Sequence, residues 1–152
     1  MMRLNLPPAE LKIEEREGVP YVFDILRKRS IKLTPEEWVR QHFVHYLIEE
    51  KGFPQGLLAN EVSLSLGSTT KRCDTVVYDL HALPQMIIEY KAPSISLSQK
   101  VFDQISRYNL VLRVPYLIVS NGLQHFCCLM NYSALNYRFL REIPRYEELV
   151  TG

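Results

Sequence analysis

From residue 60 onward the apolar positions fall into short runs whose period changes from two to about 3.6 and back. Asn60 to Leu66 alternates through Val62, Leu64 and Leu66, which predicts a half-exposed strand closed by the turn Gly67-Ser68-Thr69-Thr70. Lys71 to Asp79 follows as a second strand rich in β-branched residues. Met86-Ile87-Ile88-Glu89-Tyr90-Lys91 reads as a third, buried strand, joined to the second through His81-Ala82-Leu83-Pro84. In sequence order these three form an antiparallel set. Over Ser98 to Leu112, Val101, Ile105, Tyr108 and Leu112 recur at helical spacing, and Val114-Pro115 breaks that helix. Tyr116 to Ser120, the tight turn Asn121-Gly122 and His125 to Met130 predict a hairpin. The tail from Tyr137 adds a strand and a short final helix, Tyr146 to Val150.

Upstream, Thr34 is a good N-cap with Pro35 at the first helical position and Glu37 three residues on, a capping box. That helix should run to about Glu50, where Gly52 and Pro54 end it, with Trp38, Val39, Phe43, Tyr46 and Leu47 as its apolar stripe. Leu11 to Arg16 and Tyr21 to Ile25, split by Glu17-Gly18-Val19-Pro20, read as a small hairpin or lead-in strands. The whole predicts an α/β (α+β) fold: a mixed central β-sheet flanked by helices and preceded by a small N-terminal β extension. With 152 residues the chain suits one domain, 1–152. Within it, 1–26 is the extension, 27–130 the core, and 131–152 the C-terminal strand and short helix.

Two opposite charges near the end of a buried strand change the picture. Side chains at i and i+2 of a strand share a face, so Glu89 and Lys91 should project side by side while Ile88 and Tyr90 face the other way. Asp74, near the start of the neighbouring strand, would meet Glu89 as a carboxylate pair. Like charges about 4 Å apart repel by roughly 4 kcal/mol at an effective dielectric of 20, and a divalent cation removes that repulsion. Oxygen ligands with few His or Cys nearby suit Mg²⁺ or Mn²⁺ better than zinc.

Asp74, then about fifteen residues, then Glu89-Tyr90-Lys91 resembles the signature of the PD-(D/E)xK nucleases. Gln104-Ile105-Ser106-Arg107-Tyr108 resembles the Gln-xxx-Tyr motif that follows the core in the exonuclease-like branch of that superfamily. Thr34 to Gln41 is similar to the opening helix of the N-terminal nuclease domain of type I restriction enzyme R subunits. The resemblance runs from about Arg27 to Met130. It departs from the family pattern before Asp74, where Cys73 stands in place of the proline.

The resemblance implies a restriction-endonuclease-like core and metal-dependent hydrolysis of DNA phosphodiesters, of restriction type. Asp74 and Glu89 would hold Mg²⁺ (or Mn²⁺) with the backbone carbonyl of Tyr90. Lys91 would orient the attacking water and offset transition-state charge. Gln104, beside Val101 and Tyr108, is expected to face the site. The resemblance aligns Glu37 with an additional helix acid, although a helix cap is the simpler role for Glu36 and Glu37. A surface salt bridge is the bland reading of Glu89 and Lys91.

Composition narrows the rest. The net charge of +1 does not by itself announce a nucleic-acid protein. Its distribution is more suggestive, since Arg27-Lys28-Arg29 precedes the first long helix and Lys71-Arg72 lies just before Asp74. These five, with Tyr108, are the candidate nucleic-acid contacts. Cys73, Cys127 and Cys128 form no CxxC pair and read as reduced thiols, and the four histidines form no site of their own. No apolar run is long enough for a membrane span, and residues 1–8 lack a secretory signal, so the expected compartment is the cytoplasm. Expected partners are DNA, restriction-modification or helicase subunits, and a second copy in a homodimer. The alternatives are a non-catalytic or partner-dependent DNA-binding or assembly module with the same fold, and an unrelated α+β domain.

Overall fold

A computed structural model describes residues 2–151, with the side chains of Tyr108, Val150 and Thr151 outside the described set. The N-terminal segment forms a three-stranded antiparallel sheet from β1 (Ile13–Arg16), β2 (Val19–Asp24) and β3 (Arg29–Lys32). The third of these strands falls in the basic run, which the sequence pattern leaves unassigned. The cause is local: Asp24 accepts the amides of Leu26 and Arg27 at 2.7 and 3.0 Å, and Lys28 turns the chain at φ 55°.

Helix α1 (Pro35–Glu49) opens on Thr34, whose hydroxyl accepts the Glu37 amide at 3.1 Å. The reciprocal half of the expected capping box is replaced, because the Glu37 carboxylate turns inward to Arg27, Arg40 and Gln41. A short turn of 3-10 helix (Gln55–Leu57) leads into the main sheet.

That sheet has six strands in sequence order: β4 (Leu58–Leu66), β5 (Thr69–Tyr78), β6 (Pro84–Tyr90), β7 (Tyr116–Ser120), β8 (His125–Asn131) and β9 (Asn136–Leu140). Strands β6 and β7 pair in parallel, and all other neighbours are antiparallel. The sheet is therefore mixed, as the element order predicts. Helix α2 (Gln99–Leu112) makes the crossover that a parallel pair requires, and α3 (Tyr146–Thr151) follows β9.

Each face of the sheet has its own apolar cluster. On one side Val39, Phe43 and Leu47 of α1 pack on Val77, Met86, Ile88, Tyr90 and Ile118. On the other, Phe102 and Leu112 of α2 pack with Val76, Ile87, Leu117, Val119 and Cys128. The helices thus sandwich β5 to β8. Ile87, Ile88, Leu117 and Ile118 are fully buried, each contributing about 2 kcal/mol through lost apolar exposure.

The N-terminal segment straps this assembly. Leu4 is buried, Asn5 donates its amide to Gly122 at 2.8 Å, and the Trp38 indole donates to the Met2 carbonyl at 2.7 Å. Gly122 has φ 86°, and a Cβ there would lie 2.7 Å from Leu4, so the turn after β7 admits glycine alone without rearrangement. All three cysteines are free and buried, and burial pushes the Cys73 thiol up to about 11. No helix among the described residues is long and apolar enough to cross a membrane.

Candidate functional site

The register of β5 against β6 places Asp74 beside Glu89. Thr75 pairs with Ile88, the last pair before β5 peels away from its neighbour, so the next position on each strand is Asp74 on one and Glu89 on the other. Where the ladder would continue, the Asp74 carboxylate takes over and accepts the Tyr90 amide at 2.8 Å through Oδ2. Burial and the facing Asp74 charge push the Glu89 carboxyl up to about 7. The two acids therefore converge at a strand end, half-buried and mutually repulsive.

Glu89 has a partner that spacing alone does not indicate. Its Oε1 accepts from the Lys71 ammonium, which reaches back along β5, and both side chains are largely shielded from solvent. Lys91 lies one residue past the end of β6. It is half-buried, its amide donates to Ser120 at 2.9 Å, and its ammonium has no ion-pair or hydrogen-bond partner among the described residues.

Beneath the acids runs a buried polar network. The Tyr90 hydroxyl donates to Thr75 at 3.0 Å, Thr75 to the Asn60 carbonyl oxygen at 2.7 Å, and the Asn60 amide to Asp24 at 2.9 Å. Arg27 pairs with both Asp24 and Glu37. Arg40 pairs with Glu37 and Glu61 and donates to the Asp74 carbonyl at 2.8 Å. Burial alone would raise Asp24 and Glu37. The hydrogen bonds they accept, with the Arg40 charge beside Glu37, hold both below the usual carboxylate range. A cleft of about 100 Å³ opens over this network, lined by Glu36, Arg40, Glu61, Asp74 and Tyr90. Larger hollows lie elsewhere. One of about 530 Å³, lined by residues 2–8 with Trp38 and His42, contains no carboxylate.

Residues 35–144 match the family described as type I restriction enzyme R protein N terminus (HSDR_N), which is well over half of the chain. The chain belongs to this family. In fold the chain is similar to a fragment structure named as an HsdR subunit of a type I restriction enzyme from Vibrio vulnificus YJ016, with a TM-score of 0.55 at 18% identity. That likeness covers 78% of this chain and 25% of the other, so the chain spans about a quarter of the HsdR fragment it resembles. No curated protein sequence matches it.

The chain distributes its expected site residues unevenly. Asp74, Glu89 and the Tyr90 backbone meet at one point. Glu37 lies on the inner side of α1, with both carboxylate oxygens engaged by Arg27, Arg40 and Gln41, whereas Glu36 lines the cleft. Gln104 is exposed, which corrects its expected inward orientation. Phe102, Ser106 and Asn109 fix the phase of α2 against the sheet, so Gln104 lines an outer groove of about 510 Å³ with Lys100, Asp103 and Arg107. The Tyr108 side chain lies outside the described residues.

The basic candidates divide too. Arg27 is spent internally and Arg72 pairs with Glu61, while Lys28 and Arg29 stand exposed at the β2–β3 turn. Sequence reasoning missed Arg40 and Glu61. Arg40 sits one turn after Glu36 and Glu37, the i,i+3/i+4 spacing at which helix side chains meet, and that was the only available signal.

Among the described residues no group of three or more His, Cys, Asp or Glu side chains is placed to hold a metal. Two converging carboxylates still fit Mg²⁺ or Mn²⁺, since Mg²⁺ binds through one or two carboxylates and keeps waters or substrate phosphate as its other ligands.

Proposed function

We propose that this chain is a metal-dependent nuclease that hydrolyses DNA phosphodiesters. What supports the reading above all is the meeting of Asp74 and Glu89 at the end of the β5–β6 ladder, with Glu89 pushed up to about 7 by burial and by Asp74. A structural ion pair gains nothing from a second acid beside the first, whereas a divalent cation offsets the repulsion of two and is held by both. Asp74 and Glu89 would hold the ion, Mg²⁺ or Mn²⁺, with the Tyr90 carbonyl as a further oxygen donor. When bound, it supplies an activated water and relief of charge on the scissile phosphate.

The chain's own side chains then have distinct tasks. The Tyr90 amide holds the Asp74 carboxylate in place through the hydrogen bond at 2.8 Å. Lys91, with its ammonium uncommitted among the described residues, would orient the water and offset phosphate charge. Of the five basic candidates, Lys28 and Arg29 at the β2–β3 turn, and Arg72 after exchange of its surface pair, are open to phosphates. Gln104 would act from the outer groove of α2, beside Lys100 and Arg107, on the strand rather than on the acids.

A second reading is a DNA-binding or assembly module that cuts only with partner domains, helicase or restriction-modification subunits among them. The Lys71–Glu89 ion pair favours it, because an intramolecular cation already balances one acid. Plasmid nicking with EDTA, Mg²⁺ or Mn²⁺, beside thermal melts at the same conditions, tests both. The nuclease reading expects metal-dependent nicking lost in Asp74→Asn and Lys91→Ala, and a metal-induced rise in melting temperature lost in Asp74→Asn. A metal-induced rise without nicking would favour the partner-dependent module, and neither effect would remove the metal site altogether.

A further inference from the structure

Strands β4 and β5 bend together at one pair of residues. Asn60 opposite Thr75 and Val62 opposite Cys73 flank the pair Glu61 and Asp74, and Glu61 has φ 58° in the middle of its strand. Side chains change face across this point. Asn60 and Thr75 join the polar network on the α1 side, but Val62 and Cys73 join the apolar cluster beneath α2. A regular strand would keep residues two apart on one face, so the bend breaks the period. Asp74 also lies beyond the ladder with β6, and its carbonyl accepts from Arg40.

Arg40 holds this bend from helix α1. It is 7% exposed, and its guanidinium donates to the Asp74 carbonyl and to Glu61 Oε1, each at 2.8 Å, and to Glu37. It lies 5.9 Å from the centre of the Tyr90 ring, the residue whose amide holds the Asp74 carboxylate. One planar fork thus joins β4 and β5 at their bend, where the β5–β6 ladder ends, and lies over the Tyr90 ring of β6. A lysine has one donor centre and cannot span these acceptors.

We propose that Arg40 is a positioning residue: by clamping the bent backbone at Glu61 and Asp74, it fixes the Asp74 carboxylate against the Tyr90 amide and facing Glu89. It thereby sets the affinity of the acid pair for a divalent cation. This rests on the reading of Asp74 and Glu89 as metal-holding acids.

The test is Mn²⁺ titration of the full chain, followed by electron paramagnetic resonance, with melts in EDTA alongside. Arg40→Lys keeps a cation beside Glu37 but loses the fork, and it should bind Mn²⁺ at least about tenfold more weakly, with an altered bound-Mn²⁺ spectrum. Glu61→Gln, which leaves the Glu37 contacts intact, should weaken binding in the same direction by less. An Arg40→Lys protein that melts lower in EDTA yet keeps wild-type Mn²⁺ affinity and spectrum overturns the proposal, because the residue is then structural only. If Arg40→Lys does not fold, unchanged Mn²⁺ affinity in Glu61→Gln overturns it. Wild-type protein that binds no Mn²⁺ overturns the metal reading itself, and Arg40's role with it, before any variant is compared.

Discussion

The Lys71 ammonium pairs with the Glu89 carboxylate across β5 and β6, and Lys91 does not. A resident cation thus competes for an oxygen that a divalent ion would take, while it offsets part of the Asp74–Glu89 repulsion. Lys71→Met should therefore bind Mn²⁺ more tightly than wild type, because no ion pair must first be broken. In metal-free buffer it should be less stable by about 1–2 kcal/mol, between the ranges for exposed and fully buried pairs. Calorimetric Mn²⁺ titration and urea melts read both, and weaker Mn²⁺ binding would refute the competition.

Asp74→Asn removes one of two repelling charges yet retains an oxygen to accept the Tyr90 amide. The metal-free variant should melt at or above the wild-type temperature, and its metal-induced rise should vanish. A clear loss of metal-free stability would contradict the repulsion argument.

Glu89 gives the metal-free protein a particular pH dependence. Its folded value of about 7 lies above the ordinary 4.5, so between those limits the unfolded chain releases a proton that the folded chain keeps. Stability should fall as pH rises through that window, by up to roughly 3 kcal/mol. Asp24 and Glu37 act oppositely. Their values are depressed, so their contribution is present above the ordinary carboxylate range and is lost as pH falls through their folded values. Burial holds His42 and His125 below the ordinary histidine range, so their contribution grows as pH rises through that range and opposes the Glu89 fall. In melts of chelator-treated protein, Asp74→Asn should therefore gain stability relative to wild type as pH rises from 5 to 7. An Asp74→Asn profile parallel to that of wild type from pH 5 to 7 would be inconsistent with a buried acid pair.

Glu37→Gln distinguishes a structural from a ligand role for that acid. Arg27 and Arg40 would lose their shared buried counter-charge, at a cost of about 3 kcal/mol or more. Mn²⁺ affinity of the folded fraction should change much less than in Asp74→Asn. Equal loss of metal binding with unchanged stability would make Glu37 a ligand instead.

The order of elements from α1 onward, the mixed sheet with its two covering helices and the closeness of Asp74 to Glu89 were legible in the sequence, whereas β3 was not. Hydrophobic period sets strand and helix, and a short connection between antiparallel strands lays the start of one beside the end of the next. The family resemblance rested on the same letters. Tertiary structure alone decided the remainder: Lys71 on Glu89, Glu37 turned into an arginine clasp, Gln104 turned outward, and Arg40 joined to Glu61 and Asp74. The β4–β5 bend at Glu61 breaks the two-residue period. The packing of Phe102, Ser106 and Asn109 sets the rotation of α2, and the partners of long charged side chains lie on other elements. None of these follows from spacing along the chain, because each depends on where a second element comes to rest.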